Sequence, residues 1–211
     1  MHISHPGYTG IAPVGHNKAN VVLVVDRNYL IGVNVEQFYM TTVLGNSLRK
    51  RILGGGTPVE KIRSVDSLAY SVKKTRCGGL LLVGDATGFI DPFTGEGIYL
   101  SLRSSQLAVG VVQNAFDKSD FSSRQLQSYD LIRKKEFRKK NILSKVLQCL
   151  IYKPYLCNRV VATLAAQKEL SSLLVGVIGD YHPANKVVCF KYLMRLLGGM
   201  LSHRQSSFLP N

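Results

Sequence analysis

GGLLLVGDATGFIDPFTGEGIYLSLRSSQLA, Gly78 to Ala108, is the stretch whose reading decides the fold. It begins with four aliphatic residues, Leu80 to Val83, closed by Gly84-Asp85. A wholly aliphatic run of this length predicts a strand buried on both faces. Asp85 then stands where the strand ends, the edge at which open α/β sheets bind ligands. Pro92, Gly95 and Gly97 mark a loop, and a helix is expected from about Gly97 to Phe116. Ile98, Leu102, Val109, Val112 and Phe116 share one face of it at helical spacing. Ser101, Ser105 and Ala108 lie beside that stripe and are small enough for a close approach to a sheet.

The chemistry follows from that geometry. Gly95 and Gly97 let the backbone approach a flat ligand with no Cβ in the way. The first turn of the helix offers unpaired N–H groups at the positive end of its dipole. Such a turn suits a phosphate or the anionic N1–C2=O edge of a reduced flavin, and Asp85 is placed to accept hydrogen bonds from a sugar or ribityl hydroxyl. A plain strand–turn–helix in which Asp85 caps the following turn accounts for the residues equally well.

The string GDATGFIDPFTGEGI, Gly84 to Ile98, resembles the second flavin-binding signature of the FAD-dependent oxidoreductases of the geranylgeranyl-reductase family, relatives of the aromatic flavin monooxygenases. Arg76-Cys77-Gly78-Gly79 and Leu102-Arg103-Ser104 resemble it too. The resemblance implies FAD as cofactor and NAD(P)H as electron donor. It puts Gly84, Asp85 and Ala86 at the ribityl chain. Pro92, Thr94, Gly95, Glu96, Gly97 and Ile98 would lie along the isoalloxazine ring. Members of the family begin with a βαβ unit carrying GxGxxG for the ADP half of FAD. Here Gly54-Gly55-Gly56 runs into Thr57-Pro58, and Gly95-Glu96-Gly97 has Leu100 where a third glycine belongs. The expectation is a C-terminal portion of a longer enzyme, with that upstream half as its missing partner. An incomplete sheet with an open edge predicts poor solubility for the piece.

The expected fold class is α/β in a mixed α+β form. It comprises an incomplete Rossmann-like FAD domain, a substrate-side β-sheet and a C-terminal helical region. Residues 1–66 would hold part of the sheet plus a helix, 67–116 the FAD-binding strand–loop–helix, and 117–211 the helical region. Ile11 to Val14 and Asn20 to Val25 read as a hairpin around Gly15-His16-Asn17-Lys18. In reductases of this family that act on long isoprenoids a Y-x-W-x-F-P string is common at this place. This chain has Tyr8-Thr9-Gly10-Ile11-Ala12-Pro13, keeping Tyr and Pro but not the two aromatics. The departure argues against a polyprenyl-lipid substrate. Tyr8 is a candidate substrate-cavity residue, and a half-buried strand tyrosine is the equally good plain reading.

Val35 to Leu53 reads as one helix, closed by the glycines at 54–56. Lys73, Lys74 and Arg76 form a basic turn before the aliphatic run. A long basic helix is expected from about Ser123 to Tyr152. Leu126, Tyr129, Ile132, Leu143, Leu147 and Leu150 lie on one face, interrupted by Arg133, Glu136 and Lys140. Glu136 and Lys140 are ordered for an i, i+4 ion pair of about 0.3–0.5 kcal/mol. Pro154 ends that helix. Two short apolar helices follow at 155–167 and 169–179, then the turn Gly179-Asp180-Tyr181-His182-Pro183. A last helix from about Lys186 to Leu201 would turn Val187, Phe190, Leu193, Met194 and Leu197 inward.

The 211 residues carry a net charge of +14, with 45% hydrophobic residues. That apolar content excludes a disordered chain. The positive charge fits a half whose acidic balance lies elsewhere, or association with a membrane surface. No zinc spacing or RNA-binding signature points to nucleic acid. Four cysteines without metal-ligand spacing read as buried thiols of a reducing compartment. No signal peptide opens the chain, and the expected location is cytoplasmic, peripheral to a membrane at most. No metal site and no side-chain acid or base is assigned. Two functions compete: an oxidoreductase that reduces a carbon–carbon double bond or hydroxylates a small hydrophobic or aromatic substrate, and a non-catalytic basic module at a membrane surface or on a partner.

Overall fold

The computed structural model describes residues 1–65, 68–72 and 77–202. The basic turn at Lys73, Lys74 and Arg76 lies outside the described residues, as does His203. The chain divides into two compact units, Met1–Ser67 with Leu150–Pro154, and Leu68–Cys149 with Tyr155–Asn211.

The first unit opens with an antiparallel sheet of β1 (His2–Ser4), β2 (Gly7–Gly15) and β3 (Lys18–Val25), in that order. The expected hairpin forms. Its turn needs left-handed backbone at two successive non-glycine residues, with φ of 50° at His16 and 56° at Asn17. That is the geometry matching the twist of paired strands. Gly7 is obligatory, because a Cβ there would sit 2.0 Å from the Val24 carbonyl oxygen.

The helix expected over Val35–Leu53 is two: α1 (Val35–Gly45) and α2 (Ser47–Leu53). Asn46 breaks it. Its extended backbone leaves the helix, and its side chain accepts hydrogen bonds from the N–H groups of Leu48 and Arg49. An Asn N-cap of this kind outcompetes continuation of the helix. The released carbonyls at the end of α1 are taken up by Arg49, which is 2% exposed. Its guanidinium donates to Val43 O at 2.9 Å, Thr42 O at 2.6 Å and Ser4 Oγ at 2.6 Å. Arg49 thus ties α1, α2 and β1 together.

The second unit holds the decisive stretch. A short ladder pairs β4 (Tyr70–Ser71) with β5 (Gly88–Phe89). Then come α3 (Gly97–Asp117), α4 (Ser123–Ile151), α5 (Pro154–Ala166), α6 (Lys168–Ile178) and α7 (Phe190–Ser202). Leu80 to Val83 is not a strand. Val83 has extended backbone, but among the described residues nothing pairs with the run. Leu80 and Val83 are exposed, while Leu81 packs on the seam between α3 and α4. An aliphatic run becomes a sheet strand only where neighbours take its N–H and C=O groups.

The α3–α4 seam also corrects the expected face of α3. Its buried residues are Ser104, Ala108, Val111 and Ala115. Ile98, Leu102, Val109 and Phe116 are exposed. Small residues win because they let α4 close on α3 around Leu126 and Tyr129. On α4, Ile132 is exposed and Phe137 is buried in its place. The C-terminal helices pack Leu143, Leu170, Val177, Ala184, Val187 and Tyr192 into a second core. Here α7 starts at Phe190, not Lys186. Val187 is buried, but Phe190, Leu193, Met194 and Leu197 face outward, because the helix seats Tyr192 and Leu196 instead. Of the cysteines only Cys157 is buried; Cys77 and Cys149 are exposed, and all four are free.

Candidate flavin-side site

The segment from Gly84 to Gly97 folds as turn, strand, turn, helix. A 3-10 turn spans Gly84–Thr87, β5 follows, and a second 3-10 turn spans Pro92–Thr94. Three glycines supply the left-handed backbone this path needs: φ is 55° at Gly84, 115° at Gly88 and 69° at Gly95.

Gly84 sits against α3. Its N–H donates to Ser104 Oγ at 2.8 Å, and a Cβ there would meet Ser101 Oγ at 2.5 Å. The small residues of α3 therefore seat this turn and not a strand. Tyr70 donates its hydroxyl to Asp85 O at 2.7 Å, and Thr87 donates to Gly84 O at 2.8 Å. These bonds fix the main chain and leave the Asp85 side chain exposed, with Ala86 exposed beside it. Asp85 Oδ1 lies 4.0 Å from the place a Gly97 Cβ would take, so its carboxylate stands beside the first turn of α3.

The second turn is set by Asp91, which accepts from Phe93 N at 2.8 Å, with Pro92 at the position that needs no N–H. Gln148 Nε2 donates to Ile90 O and Asp91 Oδ2, both at 3.3 Å, fastening the turn to α4. Gly95 N–H closes the turn on Pro92 O at 3.0 Å. Nothing lies within 4 Å of a Cβ at Gly95, so that backbone is open. No side chain caps the N-terminus of α3, and Ile98 in its first turn is 79% exposed. The candidate residues Gly84, Asp85, Pro92, Thr94, Gly95, Glu96, Gly97 and Ile98 thus come together around one helix start.

Glu96 departs from the others. It holds the N-cap position of α3, but its side chain makes no capping hydrogen bond; it is 7% exposed and points inward. Lys140 meets it there, with Nζ 3.3 Å from Glu96 Oε1 in an ion pair without a well-aligned hydrogen bond. Lys140 also pairs with Asp180 and lies over the Tyr99 ring, 4.5 Å from its centroid. Burial pushes the Glu96 carboxyl above its usual range; Lys140 pulls the other way and Asp180 adds to the rise. The expected Glu136–Lys140 pair is replaced: Glu136 takes Arg103 at 2.8 Å instead. Lys140 is the residue that the sequence reading missed. Its position carried only a weak signal, since Arg133 interrupts the same apolar face one heptad earlier and is half-buried, not buried.

Tyr8 belongs to the other unit. It lies in the central strand of the sheet, opposite Ile3 and Val24, and is 3% exposed. Among the described residues no cluster of metal-ligating side chains occurs. Among them also, no single helix is long and apolar enough to cross a membrane; α5 and α6 meet that test only as a pair bent by 110°.

The squalene epoxidase family model matches residues 34–206. Among curated proteins, the chain is similar to conditioned medium factor receptor 1 of Dictyostelium discoideum, at 26% identity over 82% of this chain and 35% of that protein. It is 29% identical to the digeranylgeranylglycerophospholipid reductase of Thermoplasma acidophilum over 66% of this chain and 35% of the relative. The corresponding reductase of Methanocaldococcus jannaschii is 35% identical over 59% of this chain and 30% of the relative. The chain spans about a third of the length of these relatives. It belongs to the squalene epoxidase family, among the FAD-dependent oxidoreductases related to the geranylgeranyl reductases.

Proposed function

We propose that this chain supplies the ribityl and ring side of the FAD site in an oxidoreductase acting on a carbon–carbon double bond of an isoprenoid-type molecule. The observation that carries the reading is the helix start described above: Gly95 open on its outer side, Gly97 without a Cβ, an uncapped first turn, and Asp85 exposed beside it. These features fit FAD. The open backbone of Gly95–Gly97 admits a flat ring, the first-turn N–H groups of α3 face developing negative charge, and Asp85 accepts from hydroxyls. Gly84, Ala86, Pro92 and Thr94 shape the path between the two, while Ile98 offers an apolar edge. When bound, FAD supplies hydride transfer, recharged by NAD(P)H. The part of this chain is to bind and orient the ring.

The relatives favour an olefin. Squalene is an isoprenoid hydrocarbon, and the reductases are named for an isoprenoid lipid. That agreement outweighs the missing aromatics at Gly10 and Ala12. Tyr8 is proposed as a substrate-side residue on its place in the sheet. The exposed stripe of Phe190, Leu193, Met194, Leu197 and Leu201 on α7 supports work at a lipid surface. Reduction is the first reading, since the reductases recur among the relatives. The family model favours a second, oxygen insertion at the same bond or hydroxylation.

Titration with riboflavin and with FAD, followed by flavin fluorescence, tests the site. Both ligands should bind, and Gly97→Val should weaken each about tenfold. Failure to hold either flavin, in the chain and in a version extended by a GxGxxG unit, overturns the reading. In the flavin-loaded protein given NAD(P)H, an isoprenoid olefin consumed without oxygen supports reduction, and strict oxygen dependence supports the second reading.

A further inference from the structure

We propose that Lys140 is a positioning residue for the flavin-side loop, acting through Glu96. This rests on the FAD reading given above. Three groups from two elements of the second unit converge on one ammonium: Glu96 at the start of α3, Tyr99 one turn along it, and Asp180 in the turn after α6. Glu96 and Asp180 are 84 positions apart in sequence, and Lys140 on α4 joins them. Both the Lys140 and Glu96 side chains are more than nine-tenths buried, at 8% and 6% exposed.

Glu96 lies between the two glycines that leave the loop open, so the direction of its side chain fixes the direction of that backbone. With the carboxylate drawn inward to Lys140, the outer face of Gly95 and Gly97 stays bare. Without the cation, the ionised carboxylate is buried beside Asp180 with no counter-charge, which is strongly unfavourable. It must then either take up a proton or turn outward, and turning outward carries the loop with it. Asp180 is itself held in left-handed backbone, at φ 62°. A non-glycine residue persists there only where its surroundings fix it, and the pairing with Lys140 is part of that fixing. The charged groups facing Glu96 are Lys140 from α4 and Asp180 from the turn after α6, with the Tyr99 ring under the Lys140 ammonium.

The test compares Lys140→Met, Lys140→Arg, the double variant Lys140→Met/Glu96→Gln, and Lys139→Met as a control on an exposed neighbour. Riboflavin and FAD affinities are measured between pH 5 and pH 9, roughly the span over which a raised carboxyl titrates. In Lys140→Met, affinity should fall about tenfold or more at high pH and recover at low pH, as Glu96 takes up its proton. The double variant should bind within about twofold of the parent across the range, because it removes the charge that needs the cation. Lys140→Arg should fall between the parent and Lys140→Met at high pH, because it keeps the charge on a planar fork that suits this point less well. The amide resonances of Gly95 and Gly97, recorded without flavin, should move in Lys140→Met and return in the double variant. Lys139→Met should change neither reading.

A Lys140→Met protein with parental affinity, a flat pH profile and unmoved glycine amides overturns the proposal. So does a double variant as impaired as the single one, which makes Lys140 a packing residue only. If Lys140→Met does not fold, the double variant and Lys140→Arg carry the decision. If the parent binds no flavin, the site reading fails, and the glycine amides still decide whether Lys140 positions the loop.

Discussion

Arg49 in the first unit and Lys140 in the second are both buried cations, and they are satisfied by different partners. Arg49 meets neutral oxygens: two main-chain carbonyls that the break at Asn46 releases, and one serine hydroxyl. Lys140 meets two carboxylates and an aromatic face. The planar fork of a guanidinium suits diverging carbonyls, whereas a compact ammonium suits a point between charges. Arg49 therefore closes a helix end, and its loss is a matter of stability. Lys140 holds a charge in the loop beside the candidate ligand, and its loss is a matter of charge as well.

The largest expected effect is that of Lys140→Met, about 3 kcal/mol of lost stability at pH 8 by chemical denaturation, since two carboxylates lose their cation. The loss should shrink towards pH 5. Arg49→Met should cost about 2 kcal/mol, from carbonyls left without donors, and the loss should vary little over the same pH range because no carboxylate faces Arg49 among its described partners. Equal pH dependence in the two variants would break the comparison.

Two glycines sharpen it at the loop itself. Gly84→Ala meets both left-handed backbone and the Ser101 hydroxyl, and should cost about 2 kcal/mol in thermal or chemical unfolding. Gly95→Ala has left-handed backbone but open space, so its cost should stay near 1 kcal/mol. Its flavin affinity should fall by more than its stability does. A Gly95→Ala protein with parental affinity places the ligand elsewhere.

Smaller still is the pH dependence of the parent. The Glu96 carboxyl titrates above its usual range, so the folded protein holds that proton at pH values where the unfolded chain has released it. Its contribution is present below the ordinary glutamate range and is lost as pH rises towards the raised folded value. Glu96→Gln should flatten this slope, measured as unfolding free energy against pH. The smallest change belongs to the hairpin: Asn17→Gly should stabilise by about 0.5 kcal/mol, by relieving left-handed backbone at φ 56°.

Much of the site could be read from residues because it is local. The glycines at 84, 88 and 95 need left-handed backbone, Asp91 and Pro92 set a turn over three residues, and the hairpin at His16-Asn17 closes over four. The two errors of face, on α3 and α7, share a cause. Each helix has apolar residues on more than one side, and periodicity alone does not say which side has a neighbour. The strand expected at Leu80–Val83 failed for a related reason, since its hydrogen bonds belong to partners and not to the run.

The sequence by itself determined the signature from Gly84 to Ile98, the family, the hairpin and the order of the C-terminal helices. Short-range backbone requirements and near-continuous motifs carry those. Only the tertiary structure decided that Glu96 turns inward, that Lys140 pairs with it and not with Glu136, and that Asp180 completes the group. A buried charge is satisfied by whatever folding brings within reach, and residues 96, 140 and 180 become neighbours only when α3, α4 and the turn after α6 pack.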